Sequence, residues 1–159
     1  MSLFKKKKRI DTVVYWKSKV DYLFSNEFDK VFQLLIKTKS DILSSTSKTE
    51  LKEHIIAAYI ELLGITFAKN NVNRDKRYEI ESLMEDYLNS KNGNSIIRLI
   101  HDYNKQFGSS MIDGIRPMAN YFSSSIITNN KKELEEFIYN LFYAVLNESF
   151  EEVNKVKLT

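Results

Sequence analysis

Glycine and proline, the residues on which turn-rich folds depend, are almost absent from this chain. The 159 residues include only four glycines and one proline, at Gly64, Gly93, Gly108, Gly114 and Pro117. A β-rich fold needs frequent turns, many of them with a positive φ that glycine adopts most readily. The scarcity therefore argues against sheet and favours helices joined by short polar links.

Apolar residues recur at helical spacing along most of the chain, for example at Ile96, Ile100, Tyr103 and Phe107. Pro117 would break a helix interior, so we expect a helix to begin near it or to bend there. The pattern predicts seven helices, over residues 11–24, 26–44, 48–69, 75–90, 95–107, 110–128 and 131–156. The predicted fold class is all-α, a single-domain bundle of about six to seven helices.

The segment 48–69 is predicted to be the central helix of this bundle. It is apolar nearly all round over residues 55–67, which a surface helix does not tolerate, so other helices should surround it. Gly64 within it costs about 1 kcal/mol of helix propensity relative to alanine. We expect this glycine to let another helix approach closely; a bound ligand pressing there is the alternative.

The N-terminus carries a dense cationic cluster, formed by Lys5, Lys6, Lys7, Lys8 and Arg9. The whole chain has 24 basic and 21 acidic residues, so the chain outside this cluster is slightly acidic. We therefore predict a basic, flexible arm over residues 1–10 and one helical domain over residues 11–159. The arm is expected to act as a weak electrostatic tether to an anionic membrane surface or an acidic protein. Nucleic-acid binding, helped by the basic residues 74–77, and a merely solvated tail are the alternatives.

The longest apolar stretch bears on cellular location. Residues 55–68 are too short to span a bilayer, which needs about 20 apolar residues, and they include Glu61. No transmembrane segment is predicted. The expected location is the cytoplasm, with peripheral membrane contact through the arm as an extension of it.

No motif for catalysis or cofactor binding stands out. The chain has no cysteine, its glycines are too scattered for a phosphate-binding loop, and no serine lies in a nucleophile elbow. Glu50, His54 and Glu61 share one helical face, but a metal site would need further ligands, and the other histidine is His101. We therefore expect no catalytic residues, no metal and no cofactor, and a protein that is not an enzyme.

The last predicted helix has apolar and aromatic residues on more than one face. Because tyrosine and other aromatic residues are favoured at interfaces, we predict a surface for self-association as a homodimer or for a protein partner. Its predicted residues are Phe137, Tyr139, Tyr143, Leu146 and Phe150. The first hypothesis for function is thus a non-catalytic helical interaction or regulatory protein.

The high aromatic content suggests a second hypothesis, a helical sensor that encloses an apolar small ligand. Bundles commonly place such sites between helices. The predicted pocket lies among the segments 48–69, 95–107 and 131–156, and its residues are Gly64, Phe67, Phe107 and Phe142. A nucleic-acid-binding accessory protein is the third hypothesis.

Overall fold

The computed structural model describes residues 6–43 and 47–159, so Lys5 of the basic cluster lies outside the described residues. The described chain contains seven helices and two short strands. In order they are β1 (Lys8–Ile10), α1 (Thr12–Leu23), α2 (Asn26–Thr38), α3 (Lys48–Lys69), α4 (Arg74–Ser90), α5 (Asn94–Gly108), α6 (Ile115–Ser125), α7 (Lys131–Lys155) and β2 (Val156–Leu158). The all-α prediction is confirmed.

Polar side chains cap several of the helices, as their sequence positions require. Asp11 precedes α1, and its Oδ1 accepts hydrogen bonds from the backbone N–H of Val13 at 2.9 Å and of Val14 at 3.1 Å. Asn130 precedes α7, and its Oδ1 accepts from the N–H of Glu133 at 3.1 Å. These bonds satisfy N–H groups that have no partner inside the helix, so they fix where the helices begin.

Helix α3 is the centre of the bundle, as predicted. More than half of its residues are buried, and Ala57, Ala58 and Leu62 are fully buried. Its main packing neighbours are α5 and α7, and α6 packs in turn on α7. A helix that is apolar all round is stable in water only when it is surrounded in this way.

Five rings at the meeting point of α3, α5, α6 and α7 form an aromatic cluster: His54, Tyr103, Tyr121, Phe122 and Phe142. Most of its contacts are edge-to-face; the ring centroids of Tyr103 and Tyr121 lie 5.0 Å apart, and those of Phe122 and Phe142 lie 6.1 Å apart. Such contacts add to the hydrophobic free energy of burial. They join four helices around one point in the core.

The two ends of the described chain pair with each other. Strand β1 lies parallel to β2, and the backbone N–H of Thr159 donates to the carbonyl of Ile10 at 3.0 Å. Residues 8–10 of the expected flexible arm are therefore part of the folded structure. Ile10 and Leu158 are partly buried against the core, and backbone N–H and C=O groups of the two chain ends form hydrogen bonds with each other. These contacts are the physical reason for the order of residues 8–10.

Helix α6 is shorter than the predicted segment 110–128. The hydroxyl of Ser110 accepts a hydrogen bond from the N–H of Asp113 at 3.2 Å, and the Asp113 carboxylate accepts from the N–H of Ile115 at 3.1 Å. These bonds form a turn that delays the helix until Ile115. Pro117 then lies in the first turn, where its missing N–H costs nothing.

None of the helices in residues 6–43 and 47–159 combines the length and the apolar character that a bilayer crossing requires.

Candidate functional site

A cleft of about 560 Å³ lies between α3, α4 and α5, and we call it the α4 cleft. Its floor is buried and apolar, and its mouth is lined by exposed residues that include Glu81 and His101. The floor residues are Trp16, Ile60, Phe67, Ile80 and Ile100. Clefts that bind small molecules usually have this composition, with apolar walls and a few polar groups.

Gly64 keeps the α4 cleft open on the α3 side. A Cβ placed on Gly64 would meet no heavy atom within 4 Å in the described chain, apart from its own residue, its chain neighbours and the adjacent backbone of α3. The expected close approach of another helix at this glycine is therefore absent from the structure. The missing side chain leaves space that a larger residue would fill.

Helix α4 forms the outer wall of the cleft, because only a narrow apolar face of this helix packs against the rest of the protein. Its buried residues are Ile80 and Leu88, while Met84 is partly buried and lines the cleft. Arg77 lies one turn before Ile80 and Glu81, so it is on the same face. The helix thus brings charged groups to the edge of an apolar space.

Glu61 is the buried acid of the cleft. It is 9% exposed, and its Oε1 accepts a hydrogen bond from the Nδ2 of Asn104 at 2.8 Å. Burial raises the pKa of the Glu61 carboxyl; the Asn104 hydrogen bond opposes this rise, and the nearby charge of Glu81 adds to it. Burial therefore disfavours the ionised form of this carboxyl.

Arg77 lines the cleft, and one polar atom of its side chain is buried without a partner in the described chain. Its Nε is buried and has no hydrogen-bond partner among the described residues. Leaving a buried N–H of this kind unpaired costs about 1–3 kcal/mol.

Three of the four predicted pocket residues line the α4 cleft: Gly64, Phe67 and Phe107. The fourth, Phe142, is fully buried in the aromatic cluster and lies outside the cleft lining. The helix that lines the cleft together with α3 and α5 is therefore α4, and not α7 as predicted. Arg77 is not among the predicted pocket residues, although its spacing of three from Ile80 and seven from Met84 places it on the apolar face of α4.

His54 is not part of the cleft lining. Its Nδ1 lies 2.9 Å from the hydroxyl oxygen of Tyr103 in the aromatic cluster. Burial lowers the pKa of His54 to about 4, and the charge of Asp102 opposes the shift. The stripe of Glu50, His54 and Glu61 is thus divided between an exposed residue, the core and the cleft.

Two of the predicted interface residues on α7 contact each other at the surface. The ring centroids of Tyr139 and Tyr143 lie 5.5 Å apart, and Tyr143 is exposed. The Tyr139 hydroxyl donates to the carboxylate of Asp113 at 2.8 Å, and the Arg116 guanidinium lies 3.7 Å from its ring centroid. Tyr139 is therefore already engaged within the chain.

The other three predicted interface residues pack inward to different extents. Leu146 is buried, and Phe137 and Phe150 are partly buried against the core. The ammonium of Lys39 lies 4.7 Å from the ring centroid of Phe137. The five residues therefore do not form one continuous exposed face.

The basic residues Lys6, Lys7, Lys8 and Arg9 are exposed. Arg9 is the direct cross-strand partner of Lys157 in the β1–β2 pair. Lys7 and Lys157 also line a groove of about 540 Å³ with the α3–α4 loop residues Asn71 and Asn73. The fold thus adds a C-terminal cation to the N-terminal cluster.

Comparison with protein-family models, with curated proteins and with solved structures found no significant match.

Proposed function

We propose that this protein is a non-catalytic helical binding protein that holds a small amphipathic molecule in the α4 cleft. The observation that carries the proposal is the cleft itself, with a volume of about 560 Å³ and a buried apolar floor. Small-molecule sites typically have volumes of about 300–1,000 Å³. A regulatory or sensor role follows if the bound molecule changes how α4 packs.

Two features support binding over a simple packing defect. Gly64 leaves its space unfilled although alanine would be the better helix former by about 1 kcal/mol. The polar groups Glu61, Arg77 and Asn104 lie beside an apolar floor, which is the composition that fixes the orientation of a ligand.

The test uses the neutral dye N-phenyl-1-naphthylamine, whose emission rises in apolar surroundings. We expect the dye to bind the full chain and the Gly64→Leu variant to lose most of this binding, because the leucine side chain would fill the cleft. Circular dichroism and thermal unfolding should show that the variant is folded. Gly108→Leu is the matched control, because its Cβ also meets nothing within 4 Å and Gly108 lies outside the cleft lining. Equal dye binding by wild type and Gly64→Leu would contradict the proposal.

A second candidate is self-association through the surface beside α7. Met111 and Ile112 are almost fully exposed, and Asp113 connects their loop to Tyr139. Two adjacent large apolar side chains at the surface are typical of an interaction site. Light scattering at several concentrations would show a dimer that Met111→Ser with Ile112→Ser converts to a monomer; a wild-type monomer throughout would exclude this candidate.

A further inference from the structure

The pairing of β1 with β2 holds cations from both ends of the described chain on one surface. Arg9 and Lys157 are direct cross-strand partners, and paired residues of parallel strands project from the same face of the sheet. Lys7 and Lys157 line one groove of about 540 Å³, which we call the terminal groove. Cations that the sequence places on a flexible arm are thus held together by the fold.

These cations are not neutralised within the described chain. Lys7, Arg9 and Lys157 are exposed, and none of them forms an ion pair with a carboxylate among residues 6–43 and 47–159. No described aspartate or glutamate lines the terminal groove. Because equal charges on cross-strand partners repel, a bound anion would relieve the repulsion between Arg9 and Lys157.

The terminal groove is also rich in side-chain amides. Four asparagines line it: Asn70, Asn71, Asn73 and Asn154. Asn71 and Asn154 are exposed, and their side chains form no hydrogen bond within the described part of the chain. Each amide offers two donors and one acceptor, so it can donate to phosphate oxygens and accept from a sugar hydroxyl. The groove therefore suits an anion that carries many oxygen atoms.

The shape and polarity of the terminal groove favour a nucleic-acid strand over an anionic membrane. Attachment to a membrane surface is strengthened by apolar side chains that enter the bilayer. The large exposed apolar residues of the described chain all lie outside the groove lining. A phosphodiester strand is narrow and carries a regular series of negative charges, so a cationic groove can follow it.

We propose that the terminal groove and its adjacent cations bind the phosphodiester backbone of a nucleic acid. Lys7, Arg9 and Lys157 neutralise phosphates, and Asn71 and Asn154 donate hydrogen bonds to their oxygens. Contacts of this kind do not read the base sequence. The terminal groove shares no lining residue with the α4 cleft, so this proposal does not depend on the function proposed for that cleft.

The test is fluorescence anisotropy of the full chain with labelled oligonucleotides of about 20 nucleotides: single-stranded DNA, single-stranded RNA and duplex DNA. We expect dissociation constants of about 1–100 µM that rise steeply with salt concentration. Lys7→Gln with Lys157→Gln should weaken binding by about tenfold at low salt. The same change should reduce the slope of log K against log salt by about 1.5, because two phosphate contacts are lost.

The matched control is Lys131→Gln with Lys132→Gln, which removes the same charge from exposed lysines. These lysines begin the 25-residue helix α7, so they lie about 37 Å along it from its C-terminal end at the terminal groove. The control should change binding by less than about twofold. Asn154→Ala should weaken binding without changing the salt slope, because an amide carries no charge. Circular dichroism and thermal unfolding show that each variant is folded.

The oligonucleotide that binds tightest identifies which form of nucleic acid supplies the backbone. Equal weakening by the two lysine pairs would mean that binding follows net charge alone, and it would overturn the assignment to the terminal groove. Absence of nucleic-acid binding at about 50 mM salt would overturn the proposal. Binding to phosphatidylserine vesicles in place of nucleic acid would also overturn it and assign the surface to a membrane.

Discussion

The Nδ1 atom of His54 and the hydroxyl oxygen of Tyr103 lie 2.9 Å apart in the buried aromatic cluster. A neutral imidazole Nδ1 can accept a hydrogen bond from the Tyr103 hydroxyl, whereas a charged imidazolium would have to donate to the hydroxyl oxygen and would be a desolvated charge. Burial accordingly lowers the pKa of His54 from 6.5 to about 4. The pair makes the core sensitive to acid.

The first prediction is that this histidine destabilises the protein as the pH falls from about 6.5 to about 4. In that range His54 binds a proton in the unfolded chain but not in the folded chain. The free energy of unfolding therefore decreases as the pH falls, by roughly 3 kcal/mol for this shift. Urea denaturation at a series of pH values measures the slope. His54→Gln should flatten the slope in this range, and a slope equal to that of wild type would contradict the assignment.

The second prediction concerns Glu61, whose buried carboxyl changes the free energy of unfolding with pH in the opposite direction from His54. Burial raises the pKa of the Glu61 carboxyl above its ordinary 4.5, so the folded chain takes up this proton first as the pH falls. Glu61→Gln should be more stable than wild type at neutral pH, because a buried ionised carboxylate is removed while an oxygen remains for Asn104. The advantage should shrink as the pH falls towards 4.5, because the folded wild type takes up the Glu61 proton more readily than the unfolded chain does.

Denaturation of wild type and Glu61→Gln at several pH values measures this difference. Glu81→Gln is the control, because the charge of Glu81 contributes to the raised pKa of Glu61. That variant should show a smaller change in the same direction. A difference between Glu61→Gln and wild type that does not depend on pH would refute the prediction.

The third prediction contrasts two glycines. Gly64→Ala should raise the free energy of unfolding by about 0.5–1 kcal/mol, because the helix gains propensity and the new methyl group meets no atom. Gly114→Ala should lower it by about 1–3 kcal/mol, because its Cβ would overlap the Phe107 ring and lie 2.6 Å from the Phe107 carbonyl oxygen. Thermal unfolding of the two variants gives the order, and the reverse order would mean that the packing around these glycines differs from that described.

The fourth prediction concerns the like charges of Arg9 and Lys157. They are cross-strand partners in the β1–β2 pair, where equal charges repel. Lys157→Glu should stabilise the protein by about 0.2–1 kcal/mol at low salt, and the gain should fade in 1 M salt, where the screening length is about 3 Å. Denaturation in low and high salt measures it.

The control for this charge pair is the double variant Arg9→Glu with Lys157→Glu, which restores the repulsion and should lose the gain. A gain that survives in the double variant or in high salt would show that the effect is not a pairwise attraction.

Much of the fold could be predicted because its causes are local. The segment 48–69 is apolar over several consecutive turns, and α3 has the same bounds in the structure. The end of α7 and its pairing strand were less accessible to prediction. Val156 and Leu158 resemble a continuing helical stripe, and only contact with Ile10, far away along the chain, makes them strand.

The candidate site was only partly predictable for a related reason. Residue type and helix position predict a shared pocket for Gly64, Phe67 and Phe107, and these residues do line one cleft. Which helix closes the cleft depends on tertiary packing, so the sequence pattern alone includes Phe142 and omits Arg77. The unsatisfied Arg77 Nε is visible only once its surroundings are known.

The parallel arrangement of β1 and β2 has a mechanical consequence. Traction on the two chain ends would pull β1 by its first residue and β2 by its last, in opposite directions along parallel strands. The force would then act in shear, so that all the hydrogen bonds between the two strands bear the load at the same time instead of breaking one after another. The β1–β2 pair would therefore resist stretching of the chain before the helices unfold.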